Sequence, residues 1–237
     1  MSASLENRTV LVVGRGSGIA RATVNALLAA GAKVVAAGRD QEALAAAYKG
    51  TAVETATVDL NDEASIAALA GSIEVDHVVS TASARARGLV AELTPAAMLG
   101  SFQTKVIGPI LLAKHFAPRL PADGSFVFFS GHSARKSHPG MLAVGATNAA
   151  VDAVARSLAV ELAPLRVNAV SPGTIDTGAY DGLGEAAKAD LFARRVAENP
   201  AGRLGTAEDV ADGVIFALTS TFVTGTSIAV DGGEPIV

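Results

Sequence analysis

Short runs of β-branched and other apolar residues alternate with longer Ala- and Leu-rich stretches in which apolar positions recur at helical spacing. The short runs predict seven strands, near residues 8–13, 33–37, 52–58, 75–80, 124–130, 165–170 and 226–230. The longer stretches predict seven helices, near residues 18–30, 40–48, 62–70, 95–117, 141–163, 184–198 and 207–219. Strands that alternate with helices pair in parallel through right-handed crossovers. The pattern therefore predicts one doubly wound α/β domain over residues 1–237, with helices on both faces of a parallel sheet.

The composition agrees with a sheet that is covered on both faces and excludes several classes of function. Half of the 237 residues are hydrophobic and 18% are charged. The net charge of −4 argues against nucleic acid or an anionic membrane as a partner. The absence of Cys excludes disulfides and thiolate chemistry. No signal peptide is recognised, and no apolar run approaches the ~18–20 residues that span a bilayer, so we expect a cytoplasmic protein.

A glycine-rich turn follows the first predicted strand. It reads Gly14-Arg15-Gly16-Ser17-Gly18-Ile19-Ala20 and leads into a helix. Glycines permit a tight turn whose backbone N–H groups approach a pyrophosphate, and the helix N-terminus favours the same negative charge. The turn therefore predicts cofactor contacts from Gly14, Arg15, Ser17, Gly18 and Ile19. A glycine-rich turn without a ligand would explain the same residues.

The end of the second predicted strand should carry the residue that reads the ribose of a dinucleotide. The sequence there is Ala37-Gly38-Arg39-Asp40, with Gly38 where an NAD enzyme would place a carboxylate. Arg39, together with Arg15, offers a planar cation for a 2′-phosphate, which predicts NADP(H). Asp40 is interpreted as the N-cap of the next helix. The alternative for Arg39 is a solvated loop charge.

The chain resembles the short-chain dehydrogenase/reductase family over nearly its whole length. The resemblance rests on the Gly-x-x-x-Gly-x-small turn, on Asp59-Leu60, and on the segment from Arg166 to Gly173 with Ile175 and Thr177. It implies a Rossmann-type sheet of strand order 3-2-1-4-5-6-7. The cofactor contacts implied by the resemblance, or expected after a strand end, are Asp59, Leu60, Thr81, Ala82, Pro172, Gly173, Ile175 and Thr177.

The positions that match the family's catalytic residues are all changed. The family pairs a Ser with Tyr-x-x-x-Lys on the following helix and an Asn on the preceding one. Here Gly131 stands at the Ser position, Val144 at the Tyr position and Asn148 at the Lys position, while Lys105 stands at the Asn position. Neither Tyr48 nor Tyr180 lies where it could restore the motif. The chain thus resembles an atypical member that lacks the usual Ser, Tyr and Lys.

Lys105, Asn148 and His132 are the candidate catalytic residues. Lys105 supplies an ammonium from the helix that carries the family's Asn, and Asn148 supplies an amide from the helix that carries the family's Lys. A desolvated Lys105 could donate a proton. Pro109 lacks the N–H that would bond the Lys105 carbonyl, which leaves this oxygen free for water or a ligand. His132 could also donate a proton. The alternatives are a Lys105 that reaches solvent or pairs with a carboxylate, and a His132 on the surface. No His, Asp or Glu cluster has metal-ligand spacing, so no metal site is expected.

Three functions fit these residues. The first is an NADP(H)-dependent oxidoreductase with a rebuilt active site, acting on a small carbonyl, imine or activated alkene. The second is a catalytically silent NADP-binding sensor or scaffold. The third is a partner subunit of an active relative, since family members commonly form tetramers through the helices that match 95–117 and 141–163. Because those helices are long and Ala-rich, a homotetramer is expected.

Overall fold

A seven-stranded sheet forms the centre of the computed structural model, which describes residues 3–178 and 180–237. The strands are β1 (Thr9–Val13), β2 (Lys33–Gly38), β3 (Glu54–Thr57), β4 (His77–Ser80), β5 (Ser125–Phe129), β6 (Arg166–Pro172) and β7 (Ser227–Val230). All neighbours pair in parallel, in the order β3-β2-β1-β4-β5-β6-β7. The predicted fold class and strand order are confirmed.

The helices occupy the stretches predicted for them. They are α1 (Gly18–Ala29), α2 (Gln41–Ala47), α3 (Glu63–Ser72), α4 (Pro95–Phe102), α5 (Gly108–Phe116), α6 (Leu142–Glu161), α7 (Glu185–Glu198) and α8 (Ala207–Thr219). The stretch predicted as a helix over 95–117 is helical throughout, as one run from Pro95 to Arg119, and a π-helical turn, Gln103–Ile107, lies within it between α4 and α5. Pro109 cannot donate to the Lys105 carbonyl, and the widened turn accommodates that missing bond.

Alternation along the strands divides the core between the two faces of the sheet. In β1, Leu11 faces a cluster with Phe126 and Phe128 that α3, α5 and α6 cover. Val10 and Val12 face the opposite cluster, which α1 and α8 cover. Burial on both faces explains why the strands read as continuous apolar runs rather than as alternating ones. It also leaves the carboxyl edge of the sheet as the place where loops can form a site.

Polar side chains cap the N-termini of several helices. Asp40 Oδ1 accepts a hydrogen bond from the Ala43 backbone N–H at 2.9 Å, which confirms its predicted role as the N-cap of α2. At α8, the Thr206 hydroxyl accepts from the Asp209 N–H at 3.1 Å and the Asp209 carboxylate accepts from the Thr206 N–H at 2.8 Å. This reciprocal pair is a capping box, so the start of α8 is set by local sequence.

The helical run Pro95–Arg119 is long and apolar enough to cross a membrane by length and composition. The expectation that no apolar run reaches that length is therefore wrong for this segment. Its position is that of a core helix: Leu112, Ala113 and Phe116 are buried in the cluster beneath the sheet. Burial against the sheet accounts for part of the apolar composition, since 39% of the apolar window is buried and Leu99, Ile107 and Ile110 are exposed.

Candidate functional site

A cleft of about 830 Å³ opens at the carboxyl ends of β1, β2, β3 and β4. Its wall includes the turn between β1 and α1, the ends of β2 and β3, the segment after β4, and part of α4. Eleven of the fourteen predicted cofactor residues line it: Gly14, Arg15, Ser17, Gly18, Ile19, Arg39, Asp59, Leu60, Thr81, Ala82 and Thr177. The cleft therefore brings together residues that are far apart in the sequence.

The glycine turn is shaped for the close approach of a ligand to the backbone. A Cβ at Gly38 would lie 2.8 Å from the Gly14 carbonyl oxygen, so the ends of β1 and β2 meet here without side chains between them. Gly18 has a φ of +55°, and a Cβ on it would lie 3.0 Å from Thr177 Cβ. Glycine alone fits both constraints without strain. The cradle, the volume and the α1 N-terminus fit the pyrophosphate of a dinucleotide.

Arg15 and Arg39 lie at the adenosine-side end expected for a dinucleotide in this cleft. Both side chains are exposed, and both line the cleft at the ends of the first two strands. Neither guanidinium has a carboxylate within 4.0 Å among residues 3–178 and 180–237. Two unpaired guanidinium groups at one end of the cleft fit a phosphate, because Arg binds phosphate oxygens through paired donors.

The three remaining predicted cofactor residues, Pro172, Gly173 and Ile175, do not line this cleft. Gly173 and Ile175 instead line a second cavity of about 280 Å³. Ile175 is buried and forms an isolated parallel bridge with Gly205. The segment after β6 thus reaches the cleft through Thr177 and Gly178 rather than through Ile175.

Lys105 and Asn148 are brought together, as their positions on neighbouring helices predicted. Lys105 is 5% exposed, and its Nζ donates to Asn148 Oδ1 and, at 3.1 Å, to the Ser130 carbonyl oxygen. The Ser130 hydroxyl donates to the Asn148 carbonyl at 3.0 Å, which fixes the end of β5 against α6. Lys105 thus neither reaches solvent nor pairs with a carboxylate.

Burial changes the acidity of Lys105. Loss of solvation is the main cause that lowers the pKa of its ammonium from 10.5 to about 7, and the nearby charge of Arg85 lowers it further. The charge of Asp152 acts in the opposite direction. A group with a pKa near 7 exchanges a proton readily at physiological pH, which suits general acid–base chemistry. Lys105 lies behind the cleft, whose wall is formed by its neighbour Thr104.

Gly131 and Asn148 are complementary in shape. A Cβ at Gly131 would lie 2.8 Å from Asn148 Nδ2, so the amide occupies the space that a side chain at position 131 would need. Val144, one turn before Asn148 on α6, is buried. Neither Gly131 nor Val144 carries a group that can donate a proton, so the titratable group at this junction of β5 and α6 is Lys105.

The structure does not bring His132 to Lys105 and Asn148. His132 is buried; its Nδ1 lies 3.4 Å from the Pro172 carbonyl oxygen, and its Nε2 lies 3.6 Å from Glu234 Oε1. Desolvation lowers the pKa of His132 despite the opposing charge of Glu234. The imidazole faces the C-terminal segment rather than the cleft.

His132, His138 and Glu234 form a cluster that sequence spacing did not predict. Their ligand atoms lie within 4.8 Å of one another, which is close enough to surround a metal ion. Arg195 occupies the cluster instead: its Nε lies 3.4 Å from Glu234 Oε1, and its Nη2 lies 3.4 Å from His138 Nε2. Glu234 also accepts from the Thr174 N–H and hydroxyl at 2.8 and 2.9 Å. The guanidinium supplies the positive charge, so the cluster serves to hold the C-terminus.

Sequence reasoning missed two arginines in the cleft. Arg85 and Arg87 follow β4 and line the cleft beside Gly100 and Thr104. The signal was present in the sequence, where the strand end continues as Ser83-Ala84-Arg85-Ala86-Arg87. Arg residues at alternate positions of an extended segment point to the same side.

The amino-acid sequence is similar to known proteins over nearly its whole length. A family model described as enoyl-(acyl carrier protein) reductase matches residues 13–234. The chain is 36% identical over 247 residues to L-xylulose reductase of Bos taurus, and the match covers 98% of each chain.

Solved structures agree as well. A short-chain type dehydrogenase/reductase from Mycobacterium ulcerans superimposes with a TM-score of 0.89 at 31% identity, covering 98% of this chain and 91% of the other. A small-chain dehydrogenase in complex with NADPH superimposes with a TM-score of 0.83 at 32% identity, covering 98% and 100%. The glycine turn, the strand order and these matches together show that the chain belongs to the short-chain dehydrogenase/reductase family.

Proposed function

We propose that this protein is an NADP(H)-dependent oxidoreductase that reduces a small carbonyl, imine or activated alkene at a rebuilt active site. Lys105 is its proton donor, and Asn148 holds the donor in place. The observation that carries the proposal is the buried Lys105 ammonium bonded to Asn148 Oδ1. Burial lowers the pKa of Lys105 to about 7, and the nearby Arg85 lines the cleft.

The residues that would hold the cofactor are the glycine turn, with Gly14 and Gly18, together with Arg15, Arg39 and Thr177. When bound, the nicotinamide supplies or accepts the hydride, which is chemistry that belongs to the cofactor. Arg39 and Arg15 would bind the 2′-phosphate. The related small-chain dehydrogenase that was solved with NADPH supports the choice of this cofactor.

The chain's own contribution is to position the substrate and to move a proton. Because Lys105 does not line the cleft, it donates the proton to the substrate atom that becomes negative through a water molecule at the cleft wall formed by Thr104. Asn148 and the Ser130 carbonyl accept from the Lys105 Nζ and so fix its direction. His132 is the weaker candidate, since it is held against Glu234 and its pKa is lowered.

The test is turnover on defined substrates. Carbonyl, imine and activated-alkene compounds are incubated with the protein and NADPH, and the loss of NADPH absorbance is followed. Sustained consumption above a protein-free control supports an oxidoreductase. Tight binding of NADPH without reduction of any compound contradicts it.

A second function, a catalytically silent NADP-binding sensor or scaffold, is favoured by one observation. Lys105 and Asn148 are buried and do not line the cleft, whereas the predicted nucleotide-binding residues do. In that function Lys105 has no catalytic role, and replacing it is expected to leave the affinity for NADPH unchanged. The substrate panel separates the two functions.

Replacing Arg39 by Ala is expected to reduce the preference for NADPH over NADH. A charge-assisted contact to phosphate contributes about 1.5–3 kcal/mol, and NADH lacks that phosphate. Titration of both cofactors into the wild type and the variant measures the ratio of their dissociation constants. Arg119→Ala, at an exposed position outside the cleft, is the matched control. A ratio unchanged in Arg39→Ala would assign the 2′-phosphate to other residues.

We also propose that the protein is a homotetramer built on α4–α5 and α6. These helices expose large apolar side chains: Leu99, Ile107 and Ile110 on the first, and Leu142 and Val160 on the second. Covering them with a second copy removes apolar surface from water. Sedimentation velocity at micromolar concentration is expected to show a tetramer, and a stable monomer there would contradict the proposal.

A further inference from the structure

Two arginines in the cleft have no acidic partner among the residues that the structure describes. Arg85 and Arg87 both line the wall beside Gly100 and Thr104. No Asp or Glu of the described chain lies within 4.0 Å of either guanidinium, whereas Arg135 is paired with Asp231 at 2.7 Å. Asp59 is the carboxylate in the cleft lining, and it follows β3 at the opposite edge of the site. This wall of the cleft is therefore positively charged.

The segment that carries the two arginines is held in place. Ser101, which is buried in α4, donates from its hydroxyl to the Ala84 carbonyl oxygen at 2.8 Å. The Gly88 N–H donates to the Gly140 carbonyl at 3.0 Å. Ala86 is buried between the two arginines, which directs both side chains to the opposite side. The Arg87 guanidinium lies over the Tyr180 ring, 5.4 Å from its centroid.

The position of the pair separates it from the phosphate end of the cleft. Arg15 and Arg39 follow β1 and β2, whereas Arg85 and Arg87 follow β4, on the other side of β1 in the sheet. Arg85 is close enough to Lys105 for its charge to lower the pKa of that ammonium. The two arginines thus lie on the side of the cleft where the proposed proton donor lies.

We propose that Arg85 and Arg87 bind a carboxylate group of the substrate and place its reducible C=O, C=N or C=C group beside Lys105. The inference rests on the proposed oxidoreductase function and adds to it the class of substrate, a small anionic acid. Two adjacent guanidinium groups with no acidic partner match the paired oxygens of a carboxylate, and partial desolvation in the cleft strengthens the contact.

The test compares acids with their own neutral esters. The probes are pyruvate, acetoacetate and levulinate, each paired with its methyl ester, and kcat/KM for NADPH oxidation is measured for each. The variants are Arg85→Gln and Arg87→Gln, which keep hydrogen-bond donors but remove the charge; Arg119→Gln is the matched control outside the cleft. Loss of one charge-assisted contact corresponds to a change of about 10- to 100-fold.

We expect the wild type to prefer at least one acid over its ester. Both variants should lose about 10- to 100-fold in kcat/KM for that acid. Arg87→Gln should change little for the ester, whereas Arg85→Gln should lose more for the acid than for the ester, because Arg85 also lowers the pKa of Lys105. Equal rates on acids and esters, or a preference for the acid that survives in both variants, would overturn the carboxylate site and leave the proposed function standing.

A binding measurement covers the case in which none of these probes is reduced. Cyclohexanecarboxylate is titrated into the NADPH-bound protein while the fluorescence of NADPH is followed. Binding that weakens about 10- to 100-fold in Arg85→Gln and Arg87→Gln, but not in Arg119→Gln, supports the anion site independently of turnover. Binding that is absent from the wild type or equal in all four proteins overturns it.

Discussion

Replacing Lys105 by Met is expected to lower turnover by about 10²–10⁴-fold while leaving the affinity for NADPH nearly unchanged. Met keeps the length of the side chain and fills the buried site, but it carries no proton. The measurement is kcat on a substrate found in the panel, together with a separate titration of NADPH. Lys49→Met, at an exposed position at the end of α2, is the matched control and should retain full activity.

The pH dependence distinguishes a proton donor from a residue that only supports the fold. Burial lowers the pKa of Lys105 to about 7, so the ammonium is populated below that pH and lost above it. Reduction by the wild type should therefore slow as pH rises through about 7, and oxidation of the product should speed up. The Lys105→Met variant should show no such change of rate near pH 7. Full activity in both Lys105→Met and His132→Ala would show that neither residue is the proton donor.

The same shift predicts how stability depends on pH. In the unfolded chain Lys105 has its ordinary pKa of 10.5, and in the folded chain a pKa of about 7. Between those values the unfolded state binds more protons, so raising the pH through this window stabilises the fold. Relative to Lys105→Met, the wild type should gain free energy of unfolding from pH 7 to pH 10.

Replacing Glu234 by Ala is expected to lower the free energy of unfolding by about 3–5 kcal/mol. Glu234 is 1% exposed, and its carboxylate accepts from the Thr174 N–H and hydroxyl while it pairs with Arg195. Removing it leaves the buried Thr174 N–H without its acceptor and takes from Arg195 its buried carboxylate partner, while the exposed Glu198 remains. Urea unfolding of wild type and variant, at equal protein concentration, measures the difference.

Two further variants test whether the position or the charge of Glu234 matters. Glu234→Gln keeps an oxygen for Thr174 but loses the charge that faces Arg195, so it should lie between the wild type and Glu234→Ala. Glu198→Ala removes an exposed partner of the same Arg195, and exposed pairs contribute about 0–1 kcal/mol. Equal losses in Glu198→Ala and Glu234→Ala would contradict a buried network at the C-terminus.

The fold was predictable from the sequence because its signals are local and repeated. β-branched runs, helical periodicity and caps such as Asp40 each act over a few residues, and all of them agree on alternating strands and helices. The π-helical turn was not predicted, although Pro109 was recognised as a missing donor. A single absent N–H can be accommodated by a kink, a water or a wider turn, and packing decides among these.

The nucleotide end of the site was more predictable than the chemical end. Gly14, Gly18 and Arg39 are recognised by their spacing from strand ends, and the parallel sheet gathers those ends at one edge. The alternative of a surface position for His132 was wrong, because its environment depends on Glu234, about a hundred residues later in the chain. Arg85 and Arg87 were overlooked because the alternating arginines after β4 point to a ligand only once the cleft around them is known.

The contact between Gly131 and Asn148 constrains the order in which substitutions at this site can be accepted. A Ser at 131 meets the Asn148 amide, which cannot move away while Lys105 holds it. A Lys at 148 would place a second ammonium against the buried first one, which is a large electrostatic cost until Lys105 has been replaced. We therefore expect each single substitution at these positions to be penalised by the residues that remain at the other two. The three positions behave as an epistatic unit, and a lineage or an engineer that crosses between the two arrangements has to change them together.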